Sequence, residues 1–324
     1  MKSLKFLCLV LAVLLIAGLA IGCQEAAEDT GPPWRFTMAS GWVTGVYYPI
    51  SGAMSRIAYT NMDNISLSVE SSGASVANAK LIGSKDADLA ILQNDIAYYA
   101  FHGTQMFDGE QVPNMRGLFM LHPEPVQLVV AADSGIVTPA DLAGKRVAVG
   151  PLGSGTEANA AQIAEIYGLT FDDFAATERL AAGEAADFLK DDRIDAAFFT
   201  TGIGAAAIAD LALVKDVTLV EIDDEHAAAL AEKYPFYSTV TVPGDVYRGI
   251  PRLQTVTVLA MIVAREDLHE DAMYEFVKAI YENLGTIHDA HAMGQTVTLD
   301  SALEGMPIEL HPGAKKYFEE VGRM

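Results

Sequence analysis

Past Pro33 the chain alternates between short apolar runs and longer stretches in which apolar residues return at helical spacing, with glycine and proline at the joins. Residues 35–40, 65–70, 89–92, 126–131, 146–150, 196–200 and 217–222 read as strands. Residues 49–61, 76–82, 156–167, 205–212, 225–234 and 270–283 read as helices. Such alternation predicts an α/β fold with mainly parallel sheets.

The first residues follow another pattern. Lys2 and Lys5 precede an uninterrupted apolar stretch over 6–21, which ends in small residues before Cys23. This is the form of a bacterial lipoprotein signal: cleavage before Cys23 and lipidation of its thiol would tether the rest outside the cytoplasmic membrane. Ala20 departs from the larger aliphatic residue commoner at its position, and the alternative is an uncleaved membrane helix. The apolar stretch is shorter than the roughly 20 residues a span prefers. Residues 1–22 are therefore expected to be removed, leaving 23–33 as a polar tether. No later apolar run is long enough to span a membrane.

Two short segments recur. Ser75-Val76-Ala77-Asn78-Ala79 returns as Thr156-Glu157-Ala158-Asn159-Ala160, and Asp88-Leu89-Ala90-Ile91-Leu92-Gln93 returns as Asp195-Ala196-Ala197-Phe198-Phe199-Thr200. Two matches in the same order suggest two halves built on one plan, in which Ser75 and Thr156 cap helices and Gln93 and Thr200 end strands. Ligands of open α/β sheets sit at the carboxyl ends of strands, where helix amino termini also point. Ser75, Gln93, Thr156 and Thr200 are thus expected to meet at one cleft, with two helix starts suited to a carboxylate.

Charge and cysteine content narrow the chemistry. The chain has 21 basic and 43 acidic residues; losing Lys2 and Lys5 with the signal leaves 19 basic residues, a net charge of −24. No basic footprint for nucleic acid remains. Cys8 lies inside the signal, so once Cys23 is lipidated no thiol is left for a disulfide, a redox motif or a metal. About 300 mature residues suffice for two lobes.

The candidate catalytic motifs are incomplete. Gly150-Pro151-Leu152-Gly153-Ser154-Gly155-Thr156 has the spacing of a phosphate loop but no lysine before Thr156. Gly202-Ile203-Gly204-Ala205-Ala206-Ala207, with Glu221 and Asp223 beyond, passes only a loose dinucleotide test. Ser154 lacks the Gly-x-Ser-x-Gly elbow of a hydrolase. His288 and His291 lack a third ligand and read as surface helix. No catalytic set, cofactor or metal site is expected. Trp42, Tyr47 and Tyr48 crowd the turn after the first strand and read either as a ligand platform or as a core edge; Tyr237 carries the same ambiguity.

Taken together, Gly45-Val46-Tyr47-Tyr48-Pro49, residues 86–93, Pro123-Glu124-Pro125-Val126, residues 141–150 and Gly153-Ser154-Gly155-Thr156-Glu157 are distinctive. With residues 303–308 and 311–314, the mature chain resembles the TAXI family, the extracytoplasmic receptors of a class of tripartite ATP-independent periplasmic (TRAP) transporters. The resemblance implies a type II periplasmic-binding-protein fold, two α/β lobes joined by two crossover strands. The lobes would comprise 34–124 with 252–324, and 125–251. It further implies a monomeric receptor that closes on a small carboxylate, such as glutamate, glutamine or 2-oxoglutarate, and hands it to integral membrane subunits. By motif, the ligand would lie among Thr44, Gly45, Tyr48, Ser72, Ser75, Gln93, Ser154, Gly155, Thr156, Thr200 and Tyr237. Trp42 departs from the family, which often has a small hydroxyl residue there; its indole would fill space or stack on the ligand. A sensor subunit for a membrane signalling protein, or an extracytoplasmic enzyme, are the alternatives.

Overall fold

Two long strands, buried on both faces, organise the chain. The computed structural model describes residues 32–43 and 45–324, so Cys23, the signal, most of the tether and Thr44 lie outside the described residues. The order begins β1 (Trp34–Ala39), α1 (Tyr47–Asn61), β2 (Ile65–Glu70), α2 (Ser75–Ser84) and β3 (Leu89–Gln93). After α3 (Asn94–His102) comes the first long strand, β4 (Met115–Ala131). The opening plan then repeats as β5 (Arg146–Ala148), α4 (Gly155–Ile166), β6 (Ala176–Glu178), α5 (Ala182–Lys190) and β7 (Ala196–Thr200). There follow α6 (Ala206–Val214), β8 (Val217–Val220), α7 (Asp224–Lys233), β9 (Ser238–Val242) and the second long strand, β10 (Leu253–Arg265). The remaining helices are α8 (Glu270–Glu282), α9 (Leu284–Ala290) and α10 (Pro312–Glu320).

The strands lie in the order β2-β1-β3-β10-β4-β7-β5-β6, with β8 also on β4 and β9 also on β10. Each lobe therefore has its first strand in the middle, its second outside and its third against a long strand. β10 pairs with β3 through Ala260–Ala264 and with β9 through Leu253–Thr257; β4 pairs with β7 and β8 beyond Val126. β4 and β10 are thus the two crossovers, bonded to each other between them.

The expectation of mainly parallel sheets is corrected to a mixed sheet. Pairs within each β-α-β unit are parallel, but β10 runs antiparallel to β3, β4 and β9, and β4 antiparallel to β7 and β8. The hydrophobic pattern does not reveal β10 or the first part of β4, because both are buried almost throughout and lack alternation. Pro123 and Pro125 also argue against a strand. The β4–β10 register slips next to Pro123, between Leu259 and Met261, whereas Pro125 stays in register opposite Thr257. Outside β4, the predicted elements end within two residues of the observed ones.

One recurring segment is a true counterpart and one is not. Asp88 and Asp195 each precede the third strand of a lobe and make the same reciprocal bridge to the first. The Thr37 amide donates to Asp88 Oδ2 at 2.8 Å and Asp88 N donates to Thr37 O at 3.0 Å; the Arg146 amide donates to Asp195 Oδ2 at 2.8 Å and Asp195 N to Arg146 O at 2.8 Å. The α2 and α4 segments, by contrast, follow the second strand of one lobe and the first strand of the other. Their likeness comes from the shared task of starting a helix at the cleft.

Side chains from both faces complete the lobes. Met38, Ile50, Met54, Leu89, Ile91, Phe276, Ile280 and Phe318 fill the first lobe beneath α1, α8 and α10; Val129, Leu189, Phe199, Ile208, Leu211 and Tyr247 fill the second beneath α5 and α6. A third cluster runs unbroken between them, from Val76, Leu92 and Met261 to Leu128, Val147, Ile163 and Phe198. Burying each such large side chain contributes about 1.5–3 kcal/mol.

Candidate functional site

A cleft of about 280 Å³ opens where the carboxyl ends of β1, β3, β5 and β7 converge from both lobes, at Gly41, Gln93, Gly150 and Thr200. Five helix starts reach it: Tyr47 of α1, Ser75 of α2, Gly155 and Thr156 of α4, Ala182 of α5, and Ala206 and Ala207 of α6. Helix amino termini present N–H groups and partial positive charge, so they suit an anionic group. Of the buried side-chain polar atoms without a hydrogen-bond partner among the described residues, two belong to residues of the cleft wall, Gln93 Oε1 and Thr200 Oγ1. Orphaned polar groups are costly to bury, and both belong to cleft-lining residues from opposite lobes.

Of the residues expected at the ligand, Trp42, Gly45, Ser75, Gln93, Gly155, Thr156 and Thr200 line the cleft, while Thr44 lies outside the described residues. The other four do not line it. At the start of α1 the lining side belongs to Tyr47, not Tyr48, since consecutive helical residues are about 100° apart. Ser72 shapes the turn before α2: its hydroxyl donates to Ser40 O at 3.1 Å and accepts from Ala74 N at 3.1 Å. Ser154 is the cap of α4, accepting from Glu157 N at 3.1 Å. Tyr237 is 4% exposed and its hydroxyl is engaged by Asn159 Nδ2 and Gln162 Oε1, each at 2.6 Å.

The capping expectation is also corrected. The residue before α2 is Ala74, and Ser75 is the first helical residue, its hydroxyl accepting from Gln93 N at 3.2 Å. Ala74 holds φ at +67°, a left-handed conformation that costs a residue with a Cβ on the order of 1–3 kcal/mol. Thr156 lies one residue inside α4, where a Cβ on Gly150 (φ +92°) would meet it at 2.7 Å. Glycine is thus required at 150 both for its φ and for this contact.

Glu124 and His291 also line the cleft, outside the set expected at the ligand, and Tyr47 takes the ligand side of the two roles open to it. Glu124 lines the cleft at 3% exposure, and its Oε2 accepts from the Tyr47 hydroxyl at 2.8 Å. Burial first, and then the Glu124 charge, push the Tyr47 phenol well above its ordinary pKa, so it remains a donor. His291, read as surface helix, lines the cleft, and its Nδ1 accepts from Met293 N at 3.0 Å, leaving the proton on Nε2. Burial, then the nearby His122, lower its pKa. The available signals were a glutamate between two prolines in an apolar run and an aromatic pair at a helix start. No Lys or Arg lines the cleft, and no group of three or more His, Cys, Asp or Glu side chains among the described residues could hold a metal ion.

The lobes also touch beside the cleft. Ala77 N of α2 donates to Gly153 O at 3.2 Å, Asn159 Nδ2 of α4 donates to Asp95 Oδ2 of α3 at 3.1 Å, and Gln162 Nε2 donates to the Tyr99 hydroxyl at 3.2 Å. Burial raises the Asp95 pKa from 3.8 to about 7, against the lowering effect of hydrogen bonds from Ile96 N and Asn159. Gly155 packs so closely on the Gln93 amide that any Cβ there would collide with Oε1.

Residues 38–322 match the NMT1-like family. Among solved structures, the alkanesulfonate-binding protein SsuA from Xanthomonas axonopodis pv. citri, bound to MOPS, is 13% identical with a TM-score of 0.51, over 90% of this chain and 85% of that one. PhnD1 from Prochlorococcus marinus, in complex with methylphosphonate, is 11% identical with a TM-score of 0.52, over 90% of this chain and all of that one (100%). At these identities the likeness speaks for the two-lobe fold alone.

Proposed function

The chain belongs to the NMT1-like family, and on that premise we propose that it is an extracytoplasmic solute receptor, tethered through a lipid on Cys23. It captures a small organic carboxylate by closure of its two lobes and delivers it to the membrane subunits of a TRAP-type transporter. The observation that carries this reading is the pair of buried, unpartnered polar atoms, Gln93 Oε1 and Thr200 Oγ1, on opposite walls of a cleft ringed by helix starts. A ligand between them that donates to Gln93 Oε1 and accepts from the Thr200 hydroxyl would satisfy groups from both lobes at once, which is how binding energy is turned into closure. The lipoprotein signal and the sequence resemblance support the location and the partner. The two structural neighbours carry a sulfonate and a phosphonate. A phosphonate, which can carry two charges, fits poorly beside Glu124 in a cleft lined by no Lys or Arg, and a carboxylate is the milder charge.

A thermal-shift screen over amino acids, dicarboxylates, keto acids, methylphosphonate and methanesulfonate tests the ligand class. A carboxylate at a hundredfold its Kd is expected to stabilise the protein by about 2.7 kcal/mol. A shift only with the phosphonate or sulfonate, or with none of these ligands, overturns the carboxylate reading. For the anchor, mass spectrometry of membrane-extracted protein is expected to find an acylated cysteine at the amino terminus. An intact Met1 overturns that part.

A further inference from the structure

Glu124 is the one charged group in the cleft whose purpose the binding of a bare carboxylate does not explain, since like charges repel and a buried carboxylate needs compensation. One of its oxygens accepts from the Tyr47 hydroxyl; the other, Oε1, stands 3.6 Å from His122 Nε2, beyond hydrogen-bond range. Ser75, at the start of α2, faces the same Tyr47 hydroxyl. An anion-favouring helix start and an anionic acceptor therefore share one wall, separated by a single phenol. Much of the remaining lining is apolar, with Trp42, Leu180 and Phe198; His291 is its one imidazole, and no Lys or Arg lines it to receive a second acid group.

We propose that the cleft selects a zwitterion, an α-amino acid with an apolar side chain, and that Glu124 is the specificity-determining acceptor for its ammonium group. The carboxylate takes the helix starts, the ammonium takes Glu124 Oε1, and the side chain lies against Trp42 and Phe198. A keto acid lacks the donor that Glu124 requires, and a dicarboxylate such as glutamate places its second charge on an apolar wall. This rests on the receptor reading above and narrows it.

Calorimetry on the full protein with L-leucine, its keto analogue 4-methyl-2-oxopentanoate, and L-glutamate tests it. Leucine is expected to bind roughly 10- to 100-fold tighter than the keto acid, the range of one charge-assisted hydrogen bond. Glutamate is expected to be weaker than leucine as well. Glu124→Gln, checked for an unchanged melting profile, is expected to bring leucine and the keto acid to within about threefold of each other by removing the charge that discriminates between them. In the wild-type protein, a keto acid that binds as tightly as leucine overturns the zwitterion while leaving the carboxylate receptor standing. Glutamate binding tighter than leucine overturns the apolar side chain. No binding by any of the three, with a hit elsewhere in the carboxylate screen, overturns this inference alone; no hit anywhere overturns both.

Discussion

Two hydroxyls two residues apart do different work at the start of α4. Ser154 satisfies the Glu157 amide as the cap, whereas Thr156 already belongs to the helix and presents itself to the cleft and to Gly150. Ser154→Ala is therefore expected to cost about 1 kcal/mol of stability, or roughly 2–4 °C in Tm. Thr156→Ala keeps the cap and is expected to act on ligand affinity instead. Melting curves of the two variants separate the roles; a larger loss in Thr156→Ala would show that the threonine, not the serine, holds the helix start.

Helices α3 and α4 come from opposite lobes and meet through a buried polar set: Asp95 and Tyr99 on one, Asn159 and Gln162 on the other, the last two joined by the Tyr237 hydroxyl. The only acid among them is Asp95, which ionises at about 7 in the fold against 3.8 ordinarily. A raised acid pKa means that the folded protein holds the proton more tightly than the unfolded chain. Its stability is fully present below about pH 4, declines as pH rises toward 7, and changes no further from this group above that. Asp95→Asn keeps an acceptor for Asn159 but cannot ionise. Its melting temperature is expected to pull ahead of the wild type between pH 4 and pH 7 and to hold a constant lead above. Parallel curves across that range would show that Asp95 is not the titrating group.

At the scale of the whole molecule the decisive contact is Gly155 against Gln93, one from each lobe. Gly155→Val would hold the lobes apart, so its scattering profile at saturating ligand is expected to match the unliganded profile, while the wild type compacts; a compacting variant would show that the lobes close elsewhere. Part of the element pattern, without α3, α5, α9, α10, β6, β9 and β10, the paired plan of the two lobes and the strand-end residues Gln93 and Thr200 were legible in the sequence alone, because each rests on local periodicity or on chemistry at a strand's end. The helix starts at Ser75 and Gly155 were legible for the same reason, though the α2 and α4 segments proved not to be counterparts. What a buried antiparallel strand does with a continuous apolar run, as in β10, has no local signature, and only pairing decided it. Likewise Tyr48 and Tyr47 are equivalent as letters, and Glu124 and Tyr237 are equally able to meet a ligand. That Tyr47 and Glu124 line the cleft while Tyr48 is half-buried outside it and Tyr237 is packed inside was decided by which side of each element the tertiary structure turns toward the other lobe.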